Sequence, residues 1–193
     1  MSNGPSLVIR GTILGSLILA LLGWFLAGQI KLSPTAEVAY AAAPSQAPEQ
    51  MPSADNCQVS SSYPRGILQW CNIITAHATQ AQLPPNLIAA VILMESGGDE
   101  RAYSSSGAVG LMQVMPRDGI AADFECLNGP CFASRPTIEE LQDPEYNVEF
   151  GSQMLAGLIL RLGDSREALK AYGPMDAGYS YADRVLAIYE RYR

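Results

Sequence analysis

The chain has 193 residues and a formal charge of −7, from 12 Lys and Arg against 19 Asp and Glu. These charges are spread along the sequence, and without a basic run nothing points to nucleic-acid binding. A single histidine, His77, and the lack of any zinc-type Cys/His/Asp/Glu spacing imply neither a metal nor a cofactor.

The first 56 residues read as an anchor and a spacer. From Gly11 to Ile30 run 20 uncharged residues, enough at about 1.5 Å per residue to cross a hydrocarbon core of about 30 Å. Residues 1–31 are therefore predicted to form a cytoplasmic end and a transmembrane helix. A cleavable signal peptide ending at Ala43 is the alternative, and it has an apolar run longer than a signal sequence needs. Residues 32–56, rich in Pro, Ala, Gln and Ser, predict a flexible linker. Either reading exports residues 57–193, which are enough for one compact domain.

Cys57, Cys71, Cys126 and Cys131 all lie beyond the anchor, and an even count suits disulfides in an oxidising compartment. Three pairings are possible, with four free thiols as the alternative. Proximity in sequence favours Cys57 with Cys71 and Cys126 with Cys131.

Helical periodicity then runs through the domain. Ile67, Leu68, Trp70, Cys71, Ile74, Ala78 and Ala81 predict a first helix, stopped by Leu83-Pro84-Pro85. Pro85 opens a second, with Leu87, Ile88, Val91, Ile92 and Met94 carrying the pattern to Gly97-Gly98. Residues 99–110 and 118–136 are aperiodic and predict loops. Asp143-Pro144 opens a long helix ended by Gly163, and Asp164 caps a shorter one through Tyr172. A last helix is predicted from about Tyr179 to Tyr192. With no strand-like alternation of any length, the domain is expected to be all-α.

Glu95 is the candidate catalytic residue. It ends an otherwise apolar helix, where the negative end of the helix dipole and the shortage of water both disfavour a carboxylate. Its pKa is expected to exceed the usual value of about 4.3. A carboxylic acid still protonated near neutral pH can protonate a glycosidic oxygen.

The segments ESGG at 95–98, SSSGAVGLMQVMP at 104–116, DPEYNVEFGSQML at 143–155, ALKAYG at 168–173 and YADRVLAIY at 181–189 resemble the lytic transglycosylases of the soluble-transglycosylase (SLT) type, relatives of goose-type lysozyme. The resemblance implies a lysozyme-like helical fold. It also implies cleavage of the β-1,4 bond between N-acetylmuramic acid and N-acetylglucosamine in peptidoglycan, leaving 1,6-anhydromuramyl ends. Glu95 becomes the acid and then the base, with Ser96 supporting the site. Met112 and Gln113 are placed in the cleft wall, and Tyr172 and Tyr181 near the scissile bond. No second catalytic carboxylate is evident among Asp99, Glu100, Asp118 and Asp123, so assistance by the substrate's own N-acetyl group fills that role. The resemblance implies peptidoglycan strands as partner and the apolar N-terminal run the membrane, while an envelope assembly is the partner under the binding-module alternative. A catalytically weak peptidoglycan-binding module and a goose-type hydrolase are the alternatives.

Two features depart from the family pattern. Gly173 stands where the family usually has Asn, which predicts a lost substrate contact that Gly173→Asn would restore. The loop 118–136 is also longer than expected. His77 reads as a packed or half-exposed helical histidine.

Overall fold

A computed structural model describes residues 56–193. The predicted anchor and the linker through residue 55 lie outside the described residues. No helix among the described residues is long and apolar enough to cross a membrane.

The described chain is mostly helical. The pattern predicted as one helix over Ile67–Ala81 is two, α1 (Arg65–Leu68) and α2 (Cys71–Gln80). At the break, Trp70 donates its backbone N–H to Ile67 O at 3.0 Å, and its indole N–H to Gly98 O at 2.9 Å. Periodicity reports which face is apolar, and it does not register one residue being pulled aside to bond elsewhere.

Helix α3 (Pro85–Glu95) begins at the proline, whose missing N–H would be unpaired there anyway. Leu87 through Ile92 are all buried, as suits a helix that is apolar on every side. The other long helices are α5 (Pro144–Leu162), α6 (Ser165–Tyr172) and α7 (Tyr179–Tyr192). Helix α3 packs on α2 and α7, α5 on α2 and α6, and α6 on α7. The Asp143 side chain accepts the Tyr146 N–H at the start of α5, and Asp164 accepts that of Glu167 at the start of α6. Left-handed Gly163 ends α5.

The two predicted loops contain more order than expected. Val109 and Val114 exchange backbone hydrogen bonds of 3.0 and 3.1 Å, closing a tight turn. Within 118–136 lie a 3-10 turn (Gly119–Asp123) and a two-residue antiparallel pair, β1 (Glu125–Cys126) with β2 (Gly129–Pro130). Helix α4 (Ile138–Leu141) follows, opened by a Thr137–Glu140 capping box. The all-α expectation thus holds for the frame, with one small β pair added on the loop. Both proximity-favoured disulfides form, Cys57–Cys71 and Cys126–Cys131, with Cα–Cα distances of 5.4 and 5.0 Å.

Candidate active site

Glu95 is the last residue of α3, and the chain must turn sharply after it. Ser96 holds that turn: its hydroxyl lies 2.8 Å from Leu111 O and 3.2 Å from Ile92 O, and it accepts the Gly98 N–H at 3.1 Å. Gly98 then presses against α1 so closely that a Cβ would stand 2.1 Å from Gly66 O. Ser96 therefore links the end of α3 to the turn that carries Met112 and Gln113.

The Tyr181 hydroxyl, reaching over from α7, donates a hydrogen bond to Glu95 Oε1. Burial raises the Glu95 pKa from 4.5 to about 6, against the opposing pull of the Tyr181 bond. The folded chain thus holds this proton more tightly than the unfolded chain does. Its contribution to folding is fully present below 4.5 and falls by about 2 kcal/mol once the pH has risen past 6. Burial pushes the Tyr181 hydroxyl far above its ordinary value, and the Glu95 charge adds to this, so Tyr181 remains a donor.

Tyr172, at the end of α6, donates to Met112 O at 2.9 Å. Burial and the Glu95 charge push it well above its usual range, while the Arg135 guanidinium acts in the opposite direction. Tyr172 thus lies within electrostatic reach of both Glu95 and Arg135.

One sequence-derived placement needs correction. The Met112 side chain does not line the cleft wall: it is fully buried, with its sulfur 3.8 Å from Ser152 Oγ. It packs so closely on α5 that a Cβ on Gly151 would lie 2.6 Å from that sulfur. Met112 contributes its backbone to the site instead. Gln113, in a left-handed conformation with φ 48°, donates from Nε2 to Ala102 O and Gly110 O, each at 3.0 Å. With two carbonyls fixing its orientation, both amide hydrogens are committed, and the acceptor oxygen is what remains for a ligand.

Gly173 also reads differently. Its backbone is extended at φ −72°, ψ −177°, so no left-handed conformation excludes a side chain. The Tyr181 ring does: a Cβ at 173 would stand 2.4 Å from both its Cγ and its Cδ1. The glycine makes room for the ring whose hydroxyl meets Glu95, rather than marking a missing substrate contact.

Sequence reasoning missed Asn147. Fully buried on α5, it accepts the Met112 N–H at 2.8 Å and donates to Val109 O and Leu141 O, both at 2.9 Å. Gly110 exists to admit it, since a Cβ there would lie 2.3 Å from Asn147 Nδ2. An amide on the inward face of an otherwise apolar helical stripe was the available signal.

The loop carboxylates do not gather at Glu95. Asp99 accepts the Arg101 N–H at 2.9 Å, and Asp118 accepts the Ile138 N–H at 2.8 Å. His77 faces Glu145, with 3.8 Å between Nε2 and Oε1. A concavity of about 600 Å³ opens between Arg101, Tyr103, Ile138 and Gln142, but Glu95 is not in its walls. The chemistry at Glu95, rather than cavity size, identifies the candidate site.

The transglycosylase SLT domain family model matches residues 72–179, which leaves Tyr181 and the Cys57–Cys71 disulfide outside the match. The chain is 36% identical over 89 residues to membrane-bound lytic murein transglycosylase E of Buchnera aphidicola, covering 46% of this chain and 39% of that one. It is 36% identical over 107 residues to a transglycosylase of Enterobacteria phage PRD1, covering 55% and 35%. It is 34% identical over 89 residues to an endo-type membrane-bound lytic murein transglycosylase A of Klebsiella pneumoniae, covering 46% and 42%. The chain thus spans about two fifths of the length of these relatives. Among solved structures, an inactive mutant of lytic transglycosylase Slt from Pseudomonas aeruginosa overlays with a TM-score of 0.47 at 20% identity, covering 62% of this chain and 23% of that one. With more than half of its 193 residues matched by the family model, the chain belongs to the transglycosylase SLT domain family.

Proposed function

We propose that this protein is a lytic transglycosylase that cleaves the N-acetylmuramic acid to N-acetylglucosamine bond of peptidoglycan, with Glu95 as its acid and base. The observation that carries this reading is a buried carboxyl with its pKa raised to about 6, bonded by a tyrosine at a helix end. Protonated Glu95 donates to the glycosidic oxygen as the bond to the anomeric carbon breaks. The N-acetyl carbonyl of the muramyl sugar stabilises that carbon, supplying what a second carboxylate supplies in most glycosidases. Glu95, now ionised and held by the Tyr181 hydrogen bond, takes the proton from the sugar's 6-hydroxyl. The oxygen of that hydroxyl closes on the anomeric carbon to give the 1,6-anhydro ring, and no water is consumed. Ser96 and Tyr172 hold the backbone around the acid, and the Gln113 oxygen is available to accept from a sugar hydroxyl or amide. The proposal extends to location, with Gly11–Ile30 as a membrane anchor and the catalytic domain outside the cytoplasm.

Digestion of purified peptidoglycan with mass analysis of the products tests the reaction. Anhydromuramyl fragments, one water lighter than hydrolysis products and resistant to borohydride, are expected. Glu95→Gln should fold normally and lose cleavage by about a thousandfold. Reducible ends as the main product would replace the transglycosylase reading with a hydrolase, and near-normal cleavage by Glu95→Gln would remove the acid assignment.

A further inference from the structure

The 118–136 loop delivers a cation that the reaction as written does not use. Arg135 is half-buried on this loop, with its guanidinium 6.0 Å from the Phe132 ring centroid and 5.8 Å from that of Phe150. One of its N–H groups points at the Met154 sulfur, and Phe150 and Met154 lie one turn apart on α5. A thioether is a weak acceptor, and among the described residues no carboxylate pairs with this arginine. The ion pairs that do form involve Arg101, Arg166, Lys170 and Arg193. Burial pulls the Arg135 pKa down, which marks its charge as under-solvated.

Partial burial costs the guanidinium some of its solvation with no carboxylate to compensate, while its donors stay open to solvent, since none is among the buried polar atoms without a partner. Arrangements of this kind suit a site whose anion arrives with a ligand. The location fits such a role. Arg135 stands within electrostatic reach of Tyr172, which also feels Glu95 and is bonded to the Met112 carbonyl. Contacts with the two rings and the sulfur restrict the guanidinium, which lowers the entropy lost when its remaining N–H groups bind a ligand.

We propose that Arg135 receives a carboxylate of the substrate at the edge of the Glu95 site. This rests on the peptidoglycan reading above, where the glycan itself is neutral and carboxylates come from two sources. They belong to the peptide stem, or to the muramyl lactyl group once the stem is removed. Arg135 then distinguishes a muramyl strand from an uncharged polymer of N-acetylglucosamine.

Co-sedimentation of the full chain with insoluble peptidoglycan tests this, in a Glu95→Gln background so that nothing is digested. Arg135→Met keeps the packing against the rings and should weaken binding to native peptidoglycan by about tenfold. Binding to peptidoglycan whose carboxylates have been chemically amidated should not change. Arg135→Lys, which keeps the charge without the fork, should fall between the two. An effect on native material belongs to stem carboxylates, because the lactyl carboxyl is there bound in an amide. On stem-free glycan a surviving Arg135 effect shows that the site also takes the freed lactyl carboxylate, and its disappearance restricts the site to the stem. Equal affinity of the parent and Arg135→Met for native material overturns the proposal, as does equal weakening on native and amidated material. Failure to bind native peptidoglycan overturns it too. If this binding pattern holds while wild type yields no anhydromuramyl ends, the reaction fails and the carboxylate site stands.

Discussion

The frame around Glu95 and the loop 118–136 are held together by opposite means. In the frame around the acid, inward polar groups are satisfied, with His77 on α2 the exception: Asn147 makes three hydrogen bonds, and Ser96 and Tyr181 close on the end of α3. In the loop, apolar groups point outward, with Ile120 and Phe124 partly in solvent and Leu127 fully so. Its order comes from local ties, namely the Cys126–Cys131 bridge, a two-residue strand pair and an edge contact between Phe124 and Phe132 with centroids 6.0 Å apart. Dense packing and these hydrogen bonds hold the acid in one orientation. A cross-linked loop without a core can present a side chain such as Arg135 while leaving that geometry undisturbed.

The largest effect should come from crowding the frame at its tightest contact. Gly173→Asn forces a Cβ into the Tyr181 ring and should reduce stability by about 3 kcal/mol and cleavage by about a hundredfold, read by thermal unfolding and turnover. A rise in turnover would restore the view that Gly173 marks a lost substrate contact. The two disulfides give a more direct contrast. Cys57 and Cys71 close a span of 14 residues onto the first core helix, so replacing both with Ser should lower stability by about 3 kcal/mol. Replacing Cys126 and Cys131, which close a span of 5, should lower it by about 2 kcal/mol or less. Equal losses in denaturant titrations would mean that the loop is part of the core. The smallest effect concerns the proton. Cleavage should decline as the pH rises through about 6, where Glu95 loses its proton. Tyr181→Phe removes the bond that lowers this pKa, so the declining limb of kcat/KM should move to higher pH, with the maximum reduced about tenfold. An unmoved limb would assign the titration to another group.

Much of the frame was legible in the sequence, because helix ends are written locally in residues such as Pro85, Asp143, Asp164 and Gly163. Glu95 stood out for the same reason, as an acid ending an apolar run. What stayed hidden depends on partners far along the chain. Tyr181 meets Glu95 across 86 residues, and Asn147 reaches Val109 across 38. Gly173 looked like a deletion because its reason for being glycine is a ring on another helix. Met112 was placed in the wall by motif alone, which gives proximity to a site without saying which way a side chain faces. Arg135 was passed over entirely, since an arginine in an irregular stretch carries no periodic signal.

The loop leaves and rejoins the frame at one point, where the Arg117 N–H donates to Pro136 O at 2.9 Å. Whatever lies between those residues can lengthen or shorten at little thermodynamic expense, because doubling a closed loop adds only about 0.6 kcal/mol of closure entropy. Changes of length in this segment can therefore be absorbed without moving the acid and its tyrosine, which both lie outside it.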